Sequence, residues 1–119
     1  MYIKSHKDLI VWQKSILLVK EIFILTNKLP KSEIFGLTSQ MRRAAVSIPS
    51  NIAEGYGRKS PNEYNQFLSI AYGSALELET QLIVCVETQL ISNVDSEKSN
   101  SLLQEVLKML NYMTRSSRR

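Results

Sequence analysis

Apolar residues return at three- and four-residue steps along four stretches of the chain, and that spacing predicts four α-helices. The first is expected over residues 8–28. Its stripe is Leu9, Trp12, Ile16, Val19, Phe23 and Ile24, with Asp8 as its cap and Pro30 ending it. The second is expected over 38–56, capped by Thr38 or Ser39 and striped by Leu37, Met41, Ala44, Ala45, Ile48 and Ile52. Pro49 lies inside this pattern without shifting its phase, so a kink is expected there rather than a stop. Gly55 or Gly57 supplies the break that follows.

The third segment carries the clearest start signal. Ser60-Pro61-Asn62-Glu63 places a capping serine before a first-turn proline and a glutamate at the third position, the pattern of a capping box. Its stripe of Tyr64, Phe67, Leu68, Ala71, Ala75, Leu78, Leu82, Val86 and Leu90 predicts a helix over 61–90. The fourth, over 95–114, is lined by Leu102, Leu103, Val106, Met109, Leu110 and Met113. The tail 115–119 has no apolar anchor and is expected to be mobile. Short links between long helices make sequential neighbours antiparallel. The expected fold is all-α, an antiparallel up-and-down four-helix bundle in a single domain over residues 1–119.

Composition agrees with that picture. The 119 residues suit one domain, and only 4 Gly and 3 Pro interrupt them. The longest charge-free stretch, Tyr64 to Leu76, is too short to span a bilayer, and nothing at the N-terminus resembles a signal peptide. The single cysteine, Cys85, sits in an apolar run and is expected to be a buried hydrophobe. A cytoplasmic location is the expectation.

Charge is distributed unevenly. From Pro61 to Ile91 there are four acids, Glu63, Glu77, Glu79 and Glu87, and no base. From Pro30 to Ser60 there are five bases, Lys31, Arg42, Arg43, Arg58 and Lys59, against two acids. A hairpin turning near Lys59 would bring Arg42 and Arg43 within about a turn of Glu77 and Glu79. Three readings follow. The arginines pair with the glutamates, within the chain or across a subunit contact, as a registry device. Alternatively Arg42, Arg43, Arg58, Lys59, Arg115, Arg118 and Arg119 form a phosphate-reading surface. The third reading is a charged face that serves solubility. A third helix with Ile70, Leu76, Ile83 and Val84 off its main stripe needs a second apolar partner, which suggests an oligomer interface.

Catalytic signatures are scarce. The one histidine, His6, lies near the N-terminus. Glu77 and Glu79 are two residues apart and diverge on a helix, and the Glu-x-x-His repeats of bundle di-metal sites are missing. Gly55-Tyr56-Gly57-Arg58 follows a helix rather than a strand and reads as a helix-ending turn. Ser47, Ser50 and Asn51 surround Pro49 and are expected to satisfy backbone groups there. Trp12 reads as a core or interface anchor. No catalytic, metal or cofactor site is expected.

Three stretches carry a family resemblance: Asp8-Leu9-Ile10-Val11-Trp12-Gln13-Lys14; the run from Phe35-Gly36-Leu37 through Gln40-Met41-Arg42-Arg43-Ala44-Ala45 and Ile48-Pro49-Ser50-Asn51 to Glu54-Gly55; and Phe67-Leu68 through Glu77-Leu78-Glu79-Thr80-Gln81-Leu82. In these the chain resembles the bacterial four-helix bundle family named after proteins encoded in 23S rRNA intervening sequences. It is also similar to the accessory variability determinant protein of diversity-generating retroelements. The resemblance implies a ring-shaped homopentamer without enzymatic activity or cofactor. For the retroelement relative it implies a basic pore or surface that engages nucleic acid and a reverse transcriptase. Two readings stay open at this point: a nucleic-acid-binding scaffold, and a protein–protein adaptor that binds no nucleic acid.

Overall fold

A computed structural model describes residues 2–117. A short 3-10 turn, His6–Asp8, precedes the first helix, α1 (Ile10–Thr26). A second 3-10 turn, Lys31–Glu33, leads to α2 (Leu37–Tyr56), followed by α3 (Pro61–Glu87) and α4 (Asn93–Ser117). Each helix packs against its sequence neighbours, and α1 also closes onto α4; the backbones of the diagonal pairs, α1 with α3 and α2 with α4, stay apart across the core. The chain is an antiparallel four-helix bundle, 43 Å along its longest axis. Among the described residues no helix is long and apolar enough to cross a membrane.

Start and stop positions have local causes. Asp8 does not cap α1. Its carboxylate accepts from the Lys4 and Ser5 backbone N–H groups at 2.8 and 3.3 Å, and Ser5 Oγ accepts from Lys7 N–H, so the box closes the 3-10 turn. Neither Thr38 nor Ser39 caps α2; Gly36 holds that position without a side-chain bond. Ser60 does cap α3, accepting from Glu63 N–H at 3.3 Å with Pro61 in the first turn. The Glu63 side chain turns instead toward Arg58, 3.9 Å away. Gly57, not Gly55, caps the end of α2.

Helix α3 stops at Glu87, three residues short of the expected end, because Gln89 takes the left-handed conformation (φ 63°). The Leu90 and Ile91 N–H groups then donate back to the Cys85 carbonyl at 2.9 and 3.2 Å. This is the chain reversal that glycine usually supplies. Ser92 Oγ accepts from Asp95 N–H at 3.1 Å, so α4 begins at Asn93 rather than at 95. At its other end α4 runs past Thr114, taking Arg115 into the helix. Arg118 and Arg119 lie outside the described residues.

The core follows the expected stripes on three helices. Met41, Ala45, Ile48 and Ile52 from α2, Leu68, Ala71, Ala75 and Leu78 from α3, and Leu103, Val106 and Leu110 from α4 are all buried. Helix α2 passes through the buried Pro49 without interruption. The polar cluster beside it links helices: Asn51 Nδ2 donates to the Ser47 carbonyl at 2.8 Å, and the Ser47 and Ser74 hydroxyls lie 2.8 Å apart across α2 and α3.

Helix α1 departs from its expected phase. The core receives Val11, Ser15, Leu18, Ile22 and Leu25. Of the expected stripe, Leu9, Trp12 and Val19 are only half-buried, while Ile16, Phe23 and Ile24 are exposed. The reason is that α1 is apolar on several faces, so its spacing admits two stripes and only packing selects one.

Three ion pairs join α1 and the turn that ends it to α4: Lys14–Glu105 at 2.8 Å, Glu21–Lys98 at 3.3 Å and Lys28–Asp95 at 3.2 Å. Their order shows the antiparallel run directly.

Two substitutions test these local causes. Gln89→Gly removes the left-handed penalty and should raise stability by about 1 kcal/mol in urea unfolding. Gly55→Ala should lower it by about 1–3 kcal/mol, because the new Cβ would sit 2.9 Å from Phe67 Cβ and 3.1 Å from the Tyr64 carbonyl.

Candidate assembly and nucleic-acid interface

The sequence-selected charged residues do not converge on one spot. Arg42 is half-buried against α1. Its Nε donates to Thr26 Oγ1 at 2.9 Å and its Nη2 to Asn27 Oδ1 at 2.9 Å, while its guanidinium stacks 4.7 Å from the Phe23 ring centre. Arg42 therefore staples α2 to the C-terminal end of α1, where its charge also suits the helix dipole. Within the chain neither Arg42 nor Arg43 pairs with Glu77 or Glu79, so the intrachain form of the registry device is not what this structure contains. Glu79 instead accepts from Gln104 Nε2 of α4 at 2.7 Å, and Glu77 from Gln81 Nε2 at 3.4 Å. Arg43 lies exposed on the outer face of α2.

The remaining bases do gather. The turn between α2 and α3 holds Arg58 and Lys59, and the antiparallel order brings the start of α1 and the end of α4 to that same end of the bundle. His6 stands edge-on 6.5 Å from Tyr56, which fixes the N-terminal turn there. Lys4, Lys7, Arg58, Lys59 and Arg115 thus share one end and are all exposed. Arg58 is partly engaged, bonded to Glu54 at 3.0 Å and stacked 4.8 Å from the Phe67 ring. Asp8, Glu54 and Glu63 lie at this end too, leaving the bases in excess, whereas the opposite end sets Glu33, Glu87, Asp95 and Glu97 against Lys28, Lys31 and Lys98.

The sides of the bundle are unusually apolar. Ile83 is 57% and Val84 40% exposed, joined on α3 by Ile70 and Leu76. On α1, Ile16, Leu17, Phe23 and Ile24 are likewise exposed. Between α1 and α2 a shallow groove of about 320 Å³ is walled by Trp12, Ile16, Val19, Val46, Pro49 and Ala53. Scattered exposed apolar side chains are ordinary; contiguous rows of them on two helices mark interaction faces. The α1 row is not visible from spacing, which assigns part of it to the core.

Other reactive side chains serve packing. His6 stands edge-on to Trp12 at 5.2 Å. Cys85 is fully buried with its thiol 3.6 Å from Met41 Sδ. Burial, and secondarily the Glu33 carboxylate, push this thiol up. Burial, and secondarily Tyr56, push the Tyr64 hydroxyl up as well. Among the described residues no three His, Cys, Asp or Glu side chains come together as a metal site.

Both raised groups favour the protonated folded state. Their contribution is complete below their ordinary pKa values and is lost as pH rises through the raised ones. Unfolding free energy should therefore decline above a pH of about 9. In the folded protein at lower pH, Cys85 should resist a thiol reagent at least ~100-fold longer than in denaturant; equal labelling rates would contradict the buried assignment.

Comparison with known proteins places this architecture. A family model described as the 23S rRNA-intervening sequence protein matches residues 7–112. A crystal structure from Bacteroides thetaiotaomicron, described as a protein with unknown function from the S23 ribosomal protein family, is 27% identical. It superposes with a TM-score of 0.81 over 88% of this chain and 98% of that one. No curated protein matches the chain. The match spans all four helices, from the turn before α1 to within α4, and on that ground the chain belongs to the 23S rRNA-intervening sequence protein family.

Proposed function

We propose that this protein is the subunit of a self-assembling helical scaffold whose basic end engages nucleic acid. The observation that carries the reading is the pair of exposed apolar rows on α1 and α3. Burying them in water-free contacts with sister copies is favourable by roughly 25 cal/mol for each Å² of apolar surface removed from water. The assembly number that the family resemblance implies is five. The role is binding rather than catalysis, and the charged side chains support it through their placement at one end.

In such a scaffold Arg58, Lys59 and Arg115 contact phosphates, with Lys4 and Lys7 beside them. Phosphate contacts of this kind carry affinity without sequence preference. Arg42 contributes to stability instead, since its Nε and Nη2 already donate to Thr26 and Asn27. A protein–protein adaptor without nucleic-acid binding is the second reading, favoured by the partial engagement of Arg58 with Glu54 and Phe67.

Two measurements separate these. Light scattering of the wild-type chain should give the mass of several subunits, and Ile83→Glu with Val84→Glu should lower it toward one. A wild-type mass of one chain rules the scaffold out. For nucleic acid, affinity for a structured RNA should fall steeply with salt. Replacing Arg58, Lys59 and Arg115 with alanine should flatten the log–log salt slope by about 2 to 3, since each phosphate left without its cation removes up to about 0.9. Absence of RNA binding at low salt by an intact assembly leaves the adaptor.

A further inference from the structure

Resting on the self-assembly reading, we infer that copies join head to tail, the outward face of α1 on one copy packing against the outward face of α3 on the next. The two helices sit on a diagonal of the bundle, their backbones held apart across the core. Their outward faces therefore point away from each other, and each is free to meet a different neighbour.

The two faces share a layout. On α1 the centre of the outward face is the exposed pair Gln13 and Lys20, seven residues apart. Ile16 and Phe23 flank it on one side, Leu17 and Ile24 on the other. On α3 the central row is Gly73, Thr80 and Glu87, again seven apart. Leu76 and Ile83 flank it toward α4, Ile70 and Val84 toward α2. Seven-residue rows of this kind are what two helices present when they pack along a shared seam. A Cβ at Gly73 would meet nothing within 4 Å, which leaves room for an approaching helix.

Charge decides which face meets which. The outward face of α1 carries one charge, Lys20, which forms no ion pair with any described residue. That of α3 carries Glu77 and Glu87, and α3 contains no base at all. A two-fold contact of α1 with α1 would set Lys20 near Lys20, and one of α3 with α3 would oppose glutamates. Like charges facing each other across an interface suppress association. Only the mixed contact pairs opposite signs. It joins two different patches, the kind of contact that repeats from copy to copy and closes into a ring when the rotation permits.

Levels along the bundle fit as well. The contacts Glu21–Lys98, Gln104–Glu79, Thr26–Arg42 and Ser47–Ser74 tie each helix to the next. Followed around either side of the bundle, they put Lys20 within about two turns of Glu77 along the axis. A rotation about an axis parallel to the helices involves no shift along it. It sets the neighbour's α3 parallel to α1, with Lys20 in reach of Glu77.

The test is a charge exchange read by light scattering over a dilution series of the full chain. Lys20→Glu and Glu77→Lys should each raise the subunit concentration at half-assembly by about tenfold or more, and the combined variant should return to within about threefold of wild type. Circular dichroism melts of all variants check that the subunit stays folded. A wild-type chain that never assembles overturns the scaffold reading and this arrangement with it. A wild-type assembly that neither single exchange weakens, or that the combined variant does not restore, overturns this arrangement alone.

Discussion

A helix in a four-helix bundle can turn only one side toward the core, and two helices of this chain are apolar on more than one. That mismatch governs the molecule. On α1 the bundle buries Val11, Leu18, Ile22 and Leu25 and leaves Ile16, Leu17, Phe23 and Ile24 in water. On α3 it buries Leu68, Ala71, Ala75 and Leu78 and leaves Ile70, Leu76, Ile83 and Val84 outside. By contrast the outer face of α2 is mostly polar, with Ser39, Arg43, Ser50 and Glu54 beside a single exposed large apolar residue, Val46. The hydrophobic effect thus folds the subunit and leaves a directional remainder, concentrated on one diagonal.

Much of the architecture is legible in the sequence. Spacing locates four helices, and Ser60-Pro61 marks the start of α3 to the residue, because a capping hydroxyl and a proline act locally. Boundaries set by tertiary or left-handed geometry are less accessible. Nothing in Thr88-Gln89-Leu90 announces a positive φ, since glutamine is a poor occupant of that region. The phase of α1 is hidden for a different reason. Its Trp12–Ile16–Val19–Phe23 stripe is as regular as the one that enters the core, and a single helix contains no information about which side meets the other three.

The charged residues show the same division. Net imbalance between segments marks Pro61–Ile91 as acidic and Pro30–Ser60 as basic. Individual partners cannot be read, because long side chains choose among several neighbours. Arg42 illustrates this: a simple hairpin register aims it at α3, whereas its position on α2 turns it to Thr26, Asn27 and Phe23 of α1. The gathering of Lys4, Lys7 and Arg115 around Arg58 and Lys59 depends on an even number of antiparallel helices. It emerges from topology rather than from any run of residues.

The ladder between α1 and α4 has a consequence beyond its small energy. Exposed pairs of this kind contribute about 0–1 kcal/mol each. Their signs alternate along both helices: Lys14, Glu21, Lys28 on one and Glu105, Lys98, Asp95 on the other. Sliding α4 by one heptad would set Lys14 against Lys98 or Glu21 against Glu105, while leaving comparable apolar residues in the seam. Greasy side chains tolerate such slippage; alternating charges do not. The ladder selects one alignment among several that hydrophobic contact alone would accept, and so fixes the relative height at which α1 and its neighbours present their outward rows.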